Sequence, residues 1–167
     1  FTNSPYTSFM HETKIRLSNG IELHVEMGGN PQDPAIMLIM GLGAQMLFWP
    51  DFFCKSLIDQ GYRVIRFDNR DIGLSSKIRH SGPRLNTFKL MGRFALGLEN
   101  QGAPYNLYDM AEDAALLIEH LGLETVSVLG ASMGGMIAQI LAAKYPKKVN
   151  TLGLIFTSNN QPLLPPP

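Results

Sequence analysis

The chain is poor in the residues that would commit it to several common roles. Its single cysteine, Cys54, rules out a disulfide within the chain. The setting of Cys54, beside Phe52, Phe53 and Lys55, reads as a small core residue on a helix face. No cysteines and histidines are spaced as metal ligands are, so no metal site is expected. Excess charge of either sign is absent too: 14 Lys and Arg balance 14 Asp and Glu, and the pI is about 7.1. Binding to nucleic acid or to an acidic membrane surface would call for a basic patch, so neither partner is expected. The segment Phe1-Thr2-Asn3-Ser4-Pro5 has neither a starting Met nor an apolar signal core. It reads as trimmed or internal, and the lack of a signal favours the cytoplasm. One stretch, 125–143, carries no charge, and its Gly130-x-x-x-Gly134 mimics a membrane-helix dimer motif. Its glycines, serines and Gln139 weaken a spanning reading, and Thr125-Val126 suits a strand, so no membrane span is expected.

What is present suits a packed domain. With 167 residues, 45% of them hydrophobic, the chain can bury one real core. Thr13 to Leu17 and Ile21 to Met27 alternate around Asn19-Gly20, the pattern of a hairpin. Ala35 to Met40 is an unbroken apolar run, as in a strand covered on both faces. Phe48 to Gln60 is helix-like, with a stripe of Phe52, Phe53, Leu57 and Ile58. Tyr62 to Phe67 is the next strand. Asn106 to Leu121 is a second helix, with Leu107, Met110, Ala114, Leu117, Ile118 and Leu121 on one side. Thr125 to Gly130 is a strand, Met133 to Tyr145 a helix and Val149 to Phe156 a strand. Strands separated by helices imply right-handed crossovers, hence an α/β fold with a mostly parallel sheet and helices on both faces. Residues 1–167 therefore read as a single core domain. Segment 78–104 is an irregular insertion that could cap the site, and 157–167 is a tail ending in three prolines.

The residues that carry chemistry are Gly130-Ala131-Ser132-Met133-Gly134. A Gly-x-Ser-x-Gly string is weak by itself, because small residues are common in turns. Between a buried strand and a helix it becomes a sharp turn that lifts a serine hydroxyl off the sheet. The glycines at 130 and 134 are then needed because chain segments pass too close for a Cβ. Acyl transfer needs a nucleophile, a base and donors for a developing oxyanion. Ser132 is the nucleophile candidate. The Met133 N–H, at a helix N-terminus, is one donor candidate. Leu42 N–H is the other, in the Gly41-Leu42-Gly43 loop after the Ala35 strand. An apolar substrate pocket is expected around Gly41, Gly43, Met46 and Trp49, with Leu42, Phe48 and Met133 contributing.

On the Met40-Gly41-Leu42-Gly43 loop, the Asp68-Asn69-Arg70-Asp71-Ile72-Gly73-Leu74-Ser75 turn, the 109–122 helix and the Gly130 to Gly135 motif, the chain resembles the N-terminal part of an α/β-hydrolase fold protein. The turn is similar to that of polyketide-methylesterase-like and haloperoxidase-like esterases. The resemblance covers roughly 13–157 and implies a Ser-His-Asp triad, no cofactor and a small-molecule ester substrate. Two departures stand out: Met40 replaces the family's usual His before Gly41, and Asp71 replaces a glycine. Asp71 could line a pocket, but its favoured reading is a solvated turn carboxylate.

The family's acid and histidine come later in the chain, yet no histidine follows Ser132. His11 lies in the entry segment, His24 alternates outward with Glu22 and Glu26, and His120 suits a helix end. His80, in the irregular segment, is the one that could lie near the site. Asp68 reads as a brace of its turn through Arg70 or Arg66. The chain thus reads as about the first half of a hydrolase, truncated after the sixth strand. The edge of that strand, 149–156, is expected to pair with a second copy or a C-terminal portion. A non-catalytic binding module remains open. So do other chemistries of the same triad: perhydrolysis, C–C bond hydrolysis and acyl transfer.

Overall fold

A hairpin opens the described chain, with β1 at Met10–Arg16 and β2 at Glu22–Gly28. There follow β3 (Ala35–Ile39), α1 (Asp51–Asp59), β4 (Arg63–Phe67), α2 (Leu107–His120), β5 (Val126–Ala131), α3 (Met133–Lys144) and β6 (Val149–Ile155). This is a computed structural model, and the structure describes residues 9–78 and 104–159. Most of the irregular segment (79–103, with His80) and the end of the tail (160–167) lie outside the described residues.

The strands form one sheet in the order β1-β2-β4-β3-β5-β6. β2 runs antiparallel to both its neighbours, β1 and β4, while β4, β3, β5 and β6 are parallel neighbours. The mostly parallel α/β sheet is therefore as the residue pattern predicts. Helices α2 and α3 cover one face, packing Met110, Leu117, Ile118, Ile137 and Leu141 onto Met37, Ile39, Ile65, Phe67 and Val128. Helix α1 lies on the other face, with Leu38, Trp49, Cys54 and Val64 in its cluster. Fully burying each such side chain is worth about 1.5–3 kcal/mol.

Local chemistry sets the element ends. Helix α2 starts on a capping box: Asn106 accepts from the amides of Tyr108 and Asp109, and Asp109 accepts from the Asn106 amide. Helix α1 starts later than Phe48 because Pro50, extended at φ −64° and ψ 148°, serves as its N-cap. A 3₁₀ turn at Met46–Phe48 precedes it. Phe52 is a correction, since it is 75% exposed on the outer side of α1 rather than part of the buried stripe. At the far edge, Leu152 and Leu154 of β6 and Phe156 just past it are exposed.

His24 does not point outward. It is 6% exposed, its Nδ1 lies 3.2 Å from Asp68 Oδ2, and its Nε2 lies 3.0 Å from Glu12 Oε1, off the line of a hydrogen bond. A carboxylate on the neighbouring β4 side draws the ring inward. Asp68 is a further correction, because it pairs with neither Arg66 nor Arg70. Arg66 bonds Glu26 and Asp51, and Arg70 bonds Asp113. Burial works against the charge of each guanidinium, but these carboxylates outweigh it and hold both pKa values above the ordinary one. Cys54 is fully buried, and burial pushes its thiol up despite nearby Arg66.

Candidate active site

Ser132 stands at the junction of β5 and α3, as the N-cap of the helix. Its backbone is at φ 54° and ψ −127°, a region an L-residue occupies only when its surroundings force it. Four contacts supply the force. The Ser132 amide donates to Ile155 O on β6 (2.9 Å). The Ser132 carbonyl accepts from the amides of Gly135 (2.9 Å) and Met136 (3.4 Å) and from Thr157 Oγ1 (2.7 Å). The residue itself is exposed at the C-terminal end of the parallel sheet.

Glycines make room for this turn. A Cβ on Gly130 would collide with Gly134 O and lie 2.6 Å from Gly135 Cα. One on Gly134 would collide with Ile39 O. One on Gly41 would lie 2.9 Å from Ser132 Cβ and 3.2 Å from its Oγ. The loop after β3 thus passes directly against the serine, and only a glycine lets it. Among the described residues, no acceptor is recorded for the amides of Leu42 or Met133. Gly43, at φ 70°, continues the loop with open space around its Cα.

Asp68 fastens that loop to the next one. Its Oδ1 accepts from the Met46 amide (2.8 Å), and its Oδ2 accepts from the Leu74 amide (3.1 Å). Ser75 Oγ donates to Asp68 O (2.6 Å) and accepts from the His24 amide (2.9 Å). Asp71 is half-buried rather than solvated, which corrects the turn-carboxylate reading. It sits at φ 68°, where the family's turn has glycine, and its Oδ1 accepts from the Ile78 amide (2.6 Å). Burial raises the Tyr105 pKa first, and its hydrogen bond to Asp71 raises it further.

The remaining expected residues fall in two groups. Gly41, Leu42, Gly43 and Met133 gather at Ser132, with Leu42 41% exposed. Met46 and Trp49, expected along the pocket, are 1% and 5% exposed, and Trp49 stacks on Phe53 beneath α1. Phe48 is 70% exposed. Two shallow hollows in the described surface run along α3 and the β6 edge, beside Gln139, Lys144 and Leu154, and Ser132 lines neither. His120 ends α2, which leads into the start of β5, so it stands at the opposite end of the sheet from Ser132. Among the described residues, no cluster of His, Cys, Asp and Glu could hold a metal ion, and no helix is long and apolar enough to cross a membrane. Residue reasoning missed Thr157, which packs on Gly135 and bonds the Ser132 carbonyl.

The model of the alpha/beta hydrolase fold family matches residues 34–166. The chain belongs to that family. It is 31% identical over 140 residues to the rhodomycin D methylesterase DnrP of Streptomyces peucetius, a match covering 84% of this chain and 40% of the relative. It is 26% identical over 133 residues to a putative carbamate hydrolase, RutD, of Variovorax paradoxus, covering 80% of this chain and 41% of that one. Among solved structures, a membrane phospholipase A superposes with a TM-score of 0.70 at 27% identity, covering 90% of this chain and 40% of that one. The chain thus spans about 40% of the length of the relatives it matches.

Proposed function

We propose that Ser132 is the nucleophile of a hydrolase that cleaves a carboxylic ester, or a related acyl bond, of a small molecule. The reading rests on one observation: an exposed serine hydroxyl on a forced backbone, with Gly41 held against it. In this reading Ser132 Oγ adds to the acyl carbon, and the carbonyl oxygen becomes an oxyanion. The amides of Leu42 and Met133 donate to it, each worth about 2.7–4 kcal/mol at the transition state. Expulsion of the alcohol leaves an acyl-enzyme, which water then hydrolyses. The base that takes the serine proton, and the acid that orients it, come from outside the described residues. His24 is held at Asp68, His120 lies at the far end of the sheet, and His11 is on β1, the edge strand four places from β5.

The relatives are named for different hydrolyses, of a methyl ester, a carbamate and a phospholipid, so they support a hydrolase and not a particular substrate. A fluorophosphonate probe, which reacts with activated serines, tests the reading on the protein as its gene encodes it. Labelling is expected for wild type and not for Ser132→Ala. Equal labelling of the two would overturn the nucleophile assignment. A folded protein that is never labelled would instead favour a binding module.

A further inference from the structure

We propose that Thr157 is a positioning residue for the Met133 amide, the oxyanion donor in the reading above, on which this inference rests. The Ser132 carbonyl and the Met133 N–H belong to one peptide unit. A peptide is planar, and no cis bond occurs among the described residues, so the two groups point in opposite directions. Fixing the carbonyl therefore fixes the direction of the amide. Two of the three donors to that carbonyl are amides of α3 itself, which move with the helix. The third, Thr157 Oγ1 at 2.7 Å, comes from the far side of the junction, just past β6. It ties the peptide to the sheet rather than to the helix. The same hydroxyl lies 3.5 Å from Ser158 O, a much poorer bond.

The chain is bent to make this contact. Phe156 lies in the left-handed region at φ 48°, which is strained for a bulky residue, and its side chain is 96% exposed. Burial of the ring does not account for the strain. The bend does turn the chain out of β6 and onto the N-terminus of α3. There Gly135 has no Cβ, and one would lie 2.6 Å from Thr157 Cβ and Oγ1. Gln139 Nε2 holds the next residue by donating to Ser158 O (2.6 Å). Gly135, Thr157 and Gln139 thus form a matched set that delivers one hydroxyl to one carbonyl.

The test compares Thr157→Val, which keeps the shape and removes the hydroxyl, with Thr157→Ser, which keeps the hydroxyl. Kinetics of fluorophosphonate labelling separate binding of the probe from reaction. The maximal labelling rate of Thr157→Val is expected to fall about 10-fold, less than for outright loss of a donor, with the half-saturating concentration unchanged. Thr157→Ser should react within about twofold of wild type. If Thr157→Val fails to fold, Thr157→Ala takes its place with the same expectation. A wild-type rate for the hydroxyl-less variant, or an equally slow serine variant, overturns the proposal. A second readout does not depend on the nucleophile. In a Ser132→Ala background, removing the Thr157 hydroxyl should move the Met133 amide resonance, and Thr157→Ser should restore it. An unmoved resonance overturns the positioning role even if Ser132 proves to be the labelled residue. If labelling persists in Ser132→Ala, the functional reading falls, and the resonance still decides the role of Thr157.

Discussion

Replacing Asp113 by alanine should destabilise the protein by about 3–5 kcal/mol, the usual cost of leaving one member of a buried ion pair alone. Asp113 is 2% exposed in the middle of α2. Both of its oxygens are used: Oδ2 accepts from Arg70 Nε (2.6 Å), and Oδ1 accepts from Arg70 Nη2 (2.6 Å) and Asn19 Nδ2 (2.8 Å). One carboxylate thus joins the hairpin loop, the turn after β4 and α2. Without it, among the described residues, the Arg70 guanidinium, 8% exposed, keeps only the Asp109 carbonyl at 3.2 Å and the face of Tyr105, 5.1 Å from the ring centre. Asn19 is exposed and can turn to water. The measurement is urea unfolding of wild type, Asp113→Ala and the double variant Arg70→Met/Asp113→Leu. The double variant should recover most of the loss, because apolar groups of similar size remove the unpaired charge. A single-variant loss below about 1 kcal/mol would show that water reaches Arg70 and that the pair resembles a surface one.

The contrast between Asp113 and its neighbours explains what could be read from the chain without coordinates. The strands β3 and β5 and the helix α3 announce themselves in consecutive residues: an apolar run, a Gly-x-Ser-x-Gly and a second apolar run. The capping box at Asn106 and Asp109 is equally local. Asp113 falls on the side of α2 that carries Met110 and Leu117, and partners distant in sequence, Arg70 and Asn19, make that placement tolerable. His24 is alike. Its alternation with Glu22 and Glu26 suggests a solvated strand face, but Asp68, 44 residues on, buries it. At the site, Ser132 and Met133 are neighbours within the motif's own turn, whereas Gly41 reaches Ser132 because β3, whose end carries the Gly41 loop, pairs with β5. Thr157 does not follow from the motif, because its partner is a carbonyl. The available trace was Gly135: the Gly-x-Ser-x-Gly pattern needs Gly134 but gives no reason for a second glycine, and that reason is the threonine packed on it.

Gly134→Ala should be the most damaging single methyl that can be added to this site. The new Cβ would collide with Ile39 O and lie 2.7 Å from both Ile39 C and Met40 O. These are backbone atoms at the end of β3, which is hydrogen-bonded to β4 on one side and β5 on the other. They cannot give way as a side chain would. Helix α3 must therefore move outward at its first turn, taking Met133 and Ser132 with it. Overpacking of this kind costs about 1–3 kcal/mol, and more where backbone opposes backbone. The displacement should also slow fluorophosphonate labelling by about 100-fold, as loss of an oxyanion donor does. Gly43→Ala is the control. Gly43 has open space around it but sits at φ 70°, so alanine there meets no atom and carries only the left-handed backbone cost of about 1–2 kcal/mol. Urea unfolding and labelling rate, measured on both variants, separate the two causes. If Gly134→Ala retains wild-type labelling, α3 is not seated on the β3 carbonyls as described, and the geometry assigned to Ser132 fails with it. If Gly43→Ala loses labelling as completely as Gly134→Ala, the conformation of the loop carrying Leu42, rather than the seating of the helix, governs the reactivity of the serine.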